Sequence, residues 1–227
     1  MTSPGVPRYA SLPAAEFPAM PEHIDYYFSI VSPWAFMGHR PFMDIVQRYG
    51  LEVSYKPVPL GKVFAETGGL PLGKRAPARQ RYRILEMQRW REKRGLNFHL
   101  RPKNWPFDGT LADCFVIAMV DAGHDPDHFL RRAFAAVWED ELTLAEEANL
   151  LRLAREQGLP GEALLAAAKA DGTRAKYEQN YLDAVAADAF GSPVYVRDGE
   201  AFWGQDRLDL FEDAVKSGRP GYRSDAA

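Results

Sequence analysis

Only one cysteine, Cys114, occurs in 227 residues, so neither an intrachain disulfide nor a Cys-x-x-Cys redox pair can form. Two-electron dithiol chemistry is excluded on that ground, and no oxidising compartment is called for; a cytoplasmic setting is expected. No stretch reaches the roughly 20 consecutive apolar residues of a membrane-crossing helix, and no association with a membrane is expected. Excess charge of one sign is also lacking. With 28 Lys and Arg against 31 Asp and Glu the net charge is -3, which gives no electrostatic case for nucleic acid as the main partner. The basic run Lys74-Arg75, Arg79, Arg81, Arg83 and Arg89 to Arg94 is interleaved with Glu86, Glu92 and apolar residues, as on a solvated helix face. Five histidines are present, but no acidic ligand completes a metal set around His124 and His128. No metal is expected, and His23, His39, His99, His124 and His128 read as surface residues, with His39 near a helix face. Cys114 lies in the apolar run Phe115-Val116-Ile117 and reads as a buried, inert thiol.

What is present is ordinary globular composition, 46% hydrophobic and 26% charged. Aromatic and β-branched residues from Ile24 to Ile30 predict a strand. Ser32-Pro33 then opens a helix towards Gln47: the serine hydroxyl accepts an orphan N–H, and proline has none to lose. Gly50 stops that helix, and Leu51 to Val58 supplies a second strand, parallel to the first across a short crossover. Glycines and prolines from Gly61 to Pro77 predict a loop, and helical patterns follow at 79–94, 110–121, 126–139, 144–157, 160–170 and 173–187. Strands return at Pro193 to Val196 and Glu200 to Trp203 around the turn Asp198-Gly199, and a closing helix covers Gln205 to Lys216. This β-α-β, helices, β-β-α order predicts an α/β thioredoxin-like fold carrying an all-helical insertion subdomain. The expected division is a tail at 1–22, a thioredoxin-like core at 23–60 and 188–218, the helical insertion at 61–187 and a second tail at 219–227.

Three sites carry candidate chemistry. Ser32 is complete as an N-cap, yet a hydroxyl beside free N–H groups and a helix dipole also suits donation to a bound thiolate. Ser192-Pro193 fits a strand-opening proline, or a cis-proline facing the start of the first helix and leaving backbone groups free for a peptide-like ligand. Gly204-Gln205-Asp206-Arg207 fits a capped helix entry, or a site for a zwitterion with its amine on Asp206. Trp34, Trp105 and Trp203 are candidates for an aromatic pocket as well as for the core.

The segments Tyr26-Tyr27-Phe28 with Ser32-Pro33-Trp34, Lys56-Pro57-Val58-Pro59, Thr67-Gly68, Pro77-Ala78-Arg79 with Tyr82 and Arg89, Pro102 to Pro106, Phe190-Gly191-Ser192-Pro193 and Phe202-Trp203-Gly204-Gln205-Asp206-Arg207 resemble the 2-hydroxychromene-2-carboxylate isomerase family and the related kappa-class glutathione transferases, within the thioredoxin-like DsbA group. The resemblance implies glutathione as cofactor, its thiol activated by Ser32. Ser192 and cis Pro193 would pair with its cysteinyl unit, and Gln205 and Asp206, with Arg207 beside them, would hold its γ-glutamyl end. Thiolate addition to an unsaturated aromatic carboxylic acid would permit ring opening and bond rotation before the thiolate leaves. Where many relatives carry a lysine between the positions of Phe64 and Thr67, this chain has Ala65-Glu66 and offers Lys62. A homodimer is implied by the family. A transferase, or a noncatalytic thioredoxin-like binding protein, is the alternative.

Overall fold

The computed structural model describes residues 21–225; the expected N-terminal tail lies, up to residue 20, outside them. Strand β1 (His23–Phe28) leads into helix α1 (Pro33–Tyr49), and β2 (Glu52–Pro57) returns parallel to β1 with Tyr26 opposite Tyr55. Strands β3 (Val194–Arg197) and β4 (Glu200–Trp203) form the hairpin, and the sheet order is β2-β1-β3-β4 with β3 antiparallel to β1. Asp198 and Gly199 both have positive φ, 45° and 73°, which suits the strand twist across a two-residue turn.

Side chains alternate between the two faces of the sheet. Ile24, Tyr26 and Phe28 enter a large core with Phe42 and Phe211, whereas Tyr27, Val194 and Val196 join a smaller cluster with Val58, Val63 and Ala184. Tyr26 lies in an aromatic stack, 4.5 Å from Phe28 and 5.4 Å from Tyr195 between ring centroids.

Between β2 and β3 run α2 (Leu60–Thr67), α3 (Pro77–Lys93), α4 (Thr110–Asp121), α5 (Asp127–Trp138), α6 (Glu147–Glu156), α7 (Gly161–Lys169) and α8 (Asp171–Ala186), and α9 (Leu208–Ser217) closes the chain's fold. Helix α2 corrects the expected loop after Gly61. Its Gly68 is a left-handed C-cap with φ 77°, so that glycine ends a helix rather than marking a chain without one. The large core runs from the sheet and α1 into α4, α5, α6 and α7 without a break. Residues 219–223, expected as a tail, lie against the hairpin: Arg219 donates to both carboxylate oxygens of Glu200, and the Tyr222 N–H donates to Glu200 at 3.0 Å. His39 is a further correction. It is buried on α1, with Nε2 3.0 Å from Asp127 Oδ1 and its ring stacked on Tyr26. Burial alone would raise the Asp127 carboxyl, but hydrogen bonds from His39 and Arg131 hold it down at about 2.

Candidate functional site

The start of α1 is built as its sequence requires. The Ser32 hydroxyl accepts from the Ala35 N–H at 3.2 Å, Pro33 occupies the first turn, and Gly50 closes the helix at φ 63°. Ser32 also donates to the Ser192 carbonyl at 2.9 Å, and Ser192 precedes a cis peptide bond to Pro193. The Ser192 hydroxyl in turn accepts from the Ser29 N–H at 3.1 Å. The turn before α1 and the start of β3 are therefore tied together by two serines, and Ser32 is only 3% exposed behind them.

Beneath this corner sits a residue that the sequence did not flag. Asp113, wholly buried in the first turn of α4, accepts from Ser29 Oγ (2.8 Å), the Ile30 N–H (2.9 Å) and Tyr177 Oη (2.9 Å). Burial pushes its carboxyl up to about 7 although all three hydrogen bonds pull the other way. The same apolar helix buries Cys114, whose thiol burial pushes up to about 11, as expected of an inert sulfur.

Pro41, further along α1, shapes the support of the Gln205 turn. Lacking an N–H, it leaves the Met37 carbonyl without its helical partner. Arg94 fills the gap by donating to Met37 O and, at 3.0 Å, to Gln205 O. A missing helical hydrogen bond thus becomes the anchor for the Gln205 turn. Gly38 packs under that turn, where an added Cβ would meet Gln205 Cβ at 2.7 Å and Tyr195 Oη at 2.8 Å.

A cleft of about 690 Å³ opens between this turn and α3. Ser192, Trp203, Gln205, Asp206 and Arg207 line one side with Trp34; Arg75, Arg79, Tyr82, Arg83, Glu86 and Trp90 line the other. Of the residues singled out in the sequence, the structure gathers Trp34, Ser192, Trp203, Gln205, Asp206 and Arg207 around this space, with Ser32 and Pro193 immediately behind Ser192. Trp105 borders a neighbouring cleft and is joined to the first only through Arg83, which lies in both walls. Lys62 is not brought there: it pairs with Glu178 at 2.6 Å on the exposed face between α2 and α8, one turn before Ala65-Glu66. Arg75, Arg79 and Arg83 are the reverse correction, cleft-lining cations where a solvated helix face was expected. Among the described residues no cluster of three or more His, Cys, Asp or Glu side chains is placed to hold a metal ion.

The acceptors gathered here would suit the amino and amide groups of glutathione. Gln205 Oε1 is buried with no hydrogen-bond partner among the described residues, and the Asp206 carboxylate beside it borders the same cleft, bonded to Arg207 at 2.9 Å. An amino group would find acceptors at both, and the Ser192 carbonyl is an acceptor for an amide N–H next to Ser32.

A family model for the DSBA-like thioredoxin domain matches residues 23–216, nearly the whole described chain. The chain belongs to the DSBA-like thioredoxin domain family. Within that family it is similar to 2-hydroxychromene-2-carboxylate isomerases, which are enzymes: one from Sphingobium xenophagum is 25% identical over 196 residues, 85% of this chain and 97% of the relative. Another, from Pseudomonas putida, is 23% identical over 199 residues, 85% of this chain and 93% of the relative. Among solved structures, a 2-hydroxychromene-2-carboxylate isomerase superposes with a TM-score of 0.74 at 22% identity, covering 86% of this chain and 95% of that one. The cytosolic disulfide reductase DsbM from Pseudomonas aeruginosa, solved with GSH, gives 0.64 at 19% identity over 86% of this chain and 98% of that one. These structural likenesses establish the thioredoxin-like fold with its helical insertion. This DSBA-like chain has serine at the helix start and its one cysteine in the core.

Proposed function

We propose that this protein is a glutathione-dependent isomerase of a 2-hydroxychromene-2-carboxylate-like unsaturated aromatic acid, with Ser32 as its catalytic residue. The observation that carries the proposal is the Ser32 hydroxyl, set at the N-terminus of α1 and bonded at 2.9 Å to the carbonyl of Ser192 in the wall of an aromatic, arginine-lined cleft. Bound glutathione would supply a thiol that becomes a nucleophile on losing its proton.

The residues around it do the rest. With the Ser192 carbonyl available to accept from a ligand amide, the Ser32 hydroxyl would be the group that donates to the thiol sulfur. The positive end of the α1 dipole favours negative charge at the same place. Gln205 and Asp206 take up an amino group, Arg207 holds the Asp206 carboxylate in position, and Pro193 fixes the Ser192 end of β3. Trp34 and Trp203 flank the flat body of the acid and exclude water. The relatives named as isomerases support this choice over a transferase, and the absence of a second cysteine supports it over a dithiol enzyme.

The same proposal places the protein in the cytoplasm, where reduced glutathione is maintained, as a homodimer, and assigns cofactor binding to a core of 23–60 and 188–218 with the substrate wall from the insertion at 61–187. Calorimetry with glutathione across pH, with ultraviolet detection of the bound thiolate, tests it in the native protein and in S32A. Binding with a lowered thiol pKa that returns to normal in S32A, together with turnover of 2-hydroxychromene-2-carboxylate, is the expected result. No glutathione binding by the folded protein sinks it.

A further inference from the structure

We propose that Arg83, seated on the Trp105 ring and flanked by Arg75 and Arg79, recognises the carboxylate of the aromatic acid, a role that rests on the isomerase reading of this cleft. Four observations converge on it. Arg83 is only 7% exposed, and its Nη2 has no hydrogen-bond partner among the described residues. A guanidinium removed from water and left unpaired is costly, so an arginine this deep ordinarily faces an anion.

The surrounding charge is unbalanced. The two carboxylates in the walls of the cleft are Glu86 and Asp206, which pair with Arg89 and Arg207 respectively. Arg75, Arg79 and Arg83 have no acidic partner among the described residues, and the neighbouring cleft on the far side of Arg83 adds Arg81 and Arg101 but no acid. Burial first, and then the charges of Arg75 and Arg101, bring the Arg83 guanidinium down to about 10, which leaves it cationic at neutral pH.

Its position is set from the catalytic corner. The Arg83 guanidinium carbon lies 4.9 Å from the centre of the Trp105 ring, and the Trp105 indole N–H donates at 2.8 Å to the carbonyl of Val31, the residue before Ser32. Trp105 thus acts as a platform that couples the arginine to the turn carrying Ser32, and an arginine fork matches a carboxylate with two parallel hydrogen bonds. Lys62, occupied by Glu178, does not compete for this role.

The test titrates tryptophan fluorescence with trans-cinnamate and with methyl cinnamate in the native protein, R83M and R83K, and measures glutathione affinity in the same three proteins by calorimetry. The expected result is that the native protein prefers cinnamate to its ester, and that R83M loses about tenfold to a hundredfold in cinnamate affinity, the worth of a charged hydrogen-bonded contact. Ester and glutathione binding should stay unchanged. R83K should fall between the two, because an ammonium keeps the charge and loses the fork; it also decides the matter if R83M does not fold. Equal binding of acid and ester by the native protein overturns the proposal, and so does a parallel loss of cinnamate and glutathione in R83M or R83K, which would give Arg83 to the cofactor. Arg83-dependent cinnamate selectivity without any glutathione binding would uphold the carboxylate site while removing the isomerase reading.

Discussion

Asp113 makes stability depend on pH in a direction opposite to that of most carboxylates. Its folded-state value near 7 stands above the ordinary 3.8 because burial outweighs three hydrogen bonds. Below the unfolded value both states hold the proton and the fold keeps its full stability. As pH rises towards the folded value the unfolded chain has already lost the proton, and stability falls by about 1.4 kcal/mol per pH unit. From pH 5 to pH 7 the contribution of this one group should therefore drop by about 2 kcal/mol, because the slope halves as the folded group itself begins to titrate, and then level off. D113N removes the ionisation but keeps an oxygen for the Ile30 N–H, while the hydroxyls of Ser29 and Tyr177 can rotate to meet its amide. Urea unfolding of both proteins between pH 5 and pH 8 is the assay. The difference between them should change with pH by the stated amount, with D113N gaining on the native protein as pH rises. A difference that stays constant over that range refutes the assignment of a raised carboxyl to Asp113.

Other consequences can be checked directly. Y177F removes one hydroxyl from Asp113 and should cost about 1 kcal/mol, read from the shift in the urea midpoint. S32A loses the N-cap to Ala35 and the link to Ser192, so about 1 kcal/mol of stability should go with the activity, and S32T should recover stability in the same melts more fully than turnover. G38A presses a methyl group on Gln205 Cβ and Tyr195 Oη; glutathione affinity measured by calorimetry should fall although residue 38 does not line the cleft. Cys114 is buried with its thiol near 11, so its reaction with a thiol reagent at pH 8 should proceed at the rate of opening of the native protein and accelerate steeply in urea.

The secondary structure was legible wherever a local backbone requirement dictated the residue. Ser32-Pro33 marks the start of α1, Gly50 its end, and Asp198-Gly199 the hairpin, because each satisfies a need confined to a few neighbouring positions. Gly68 misled because a left-handed C-cap and a loop use the same residue. The corner formed by Ser32, Ser192 and Gln205 was legible as a set of motifs, but not the parts that hold it. Asp113 meets Ser29 across 84 positions of chain and Tyr177 across 64, a pairing no local pattern encodes. The arginines of α3 were misjudged for a related reason. That helix buries only Arg83 and Met87, so it has almost no apolar stripe to tell its solvated side from the side facing the cleft. His39 was placed outside for want of its partner Asp127, which arrives from α5.

Arg197 is nearly buried, and its guanidinium pairs with Glu22 at 2.6 Å where the described chain enters β1 and donates at 2.8 Å to the Arg219 carbonyl where the chain leaves α9. One side chain in β3 thus holds the entry and exit of the fold side by side. That proximity makes the molecule a natural subject for circular permutation: a linker that joins the two ends while leaving residues 219–223 on the hairpin, with new ends at the exposed Gly158 between α6 and α7, keeps the hairpin, the Ser32 corner and the arginine wall in one covalent order.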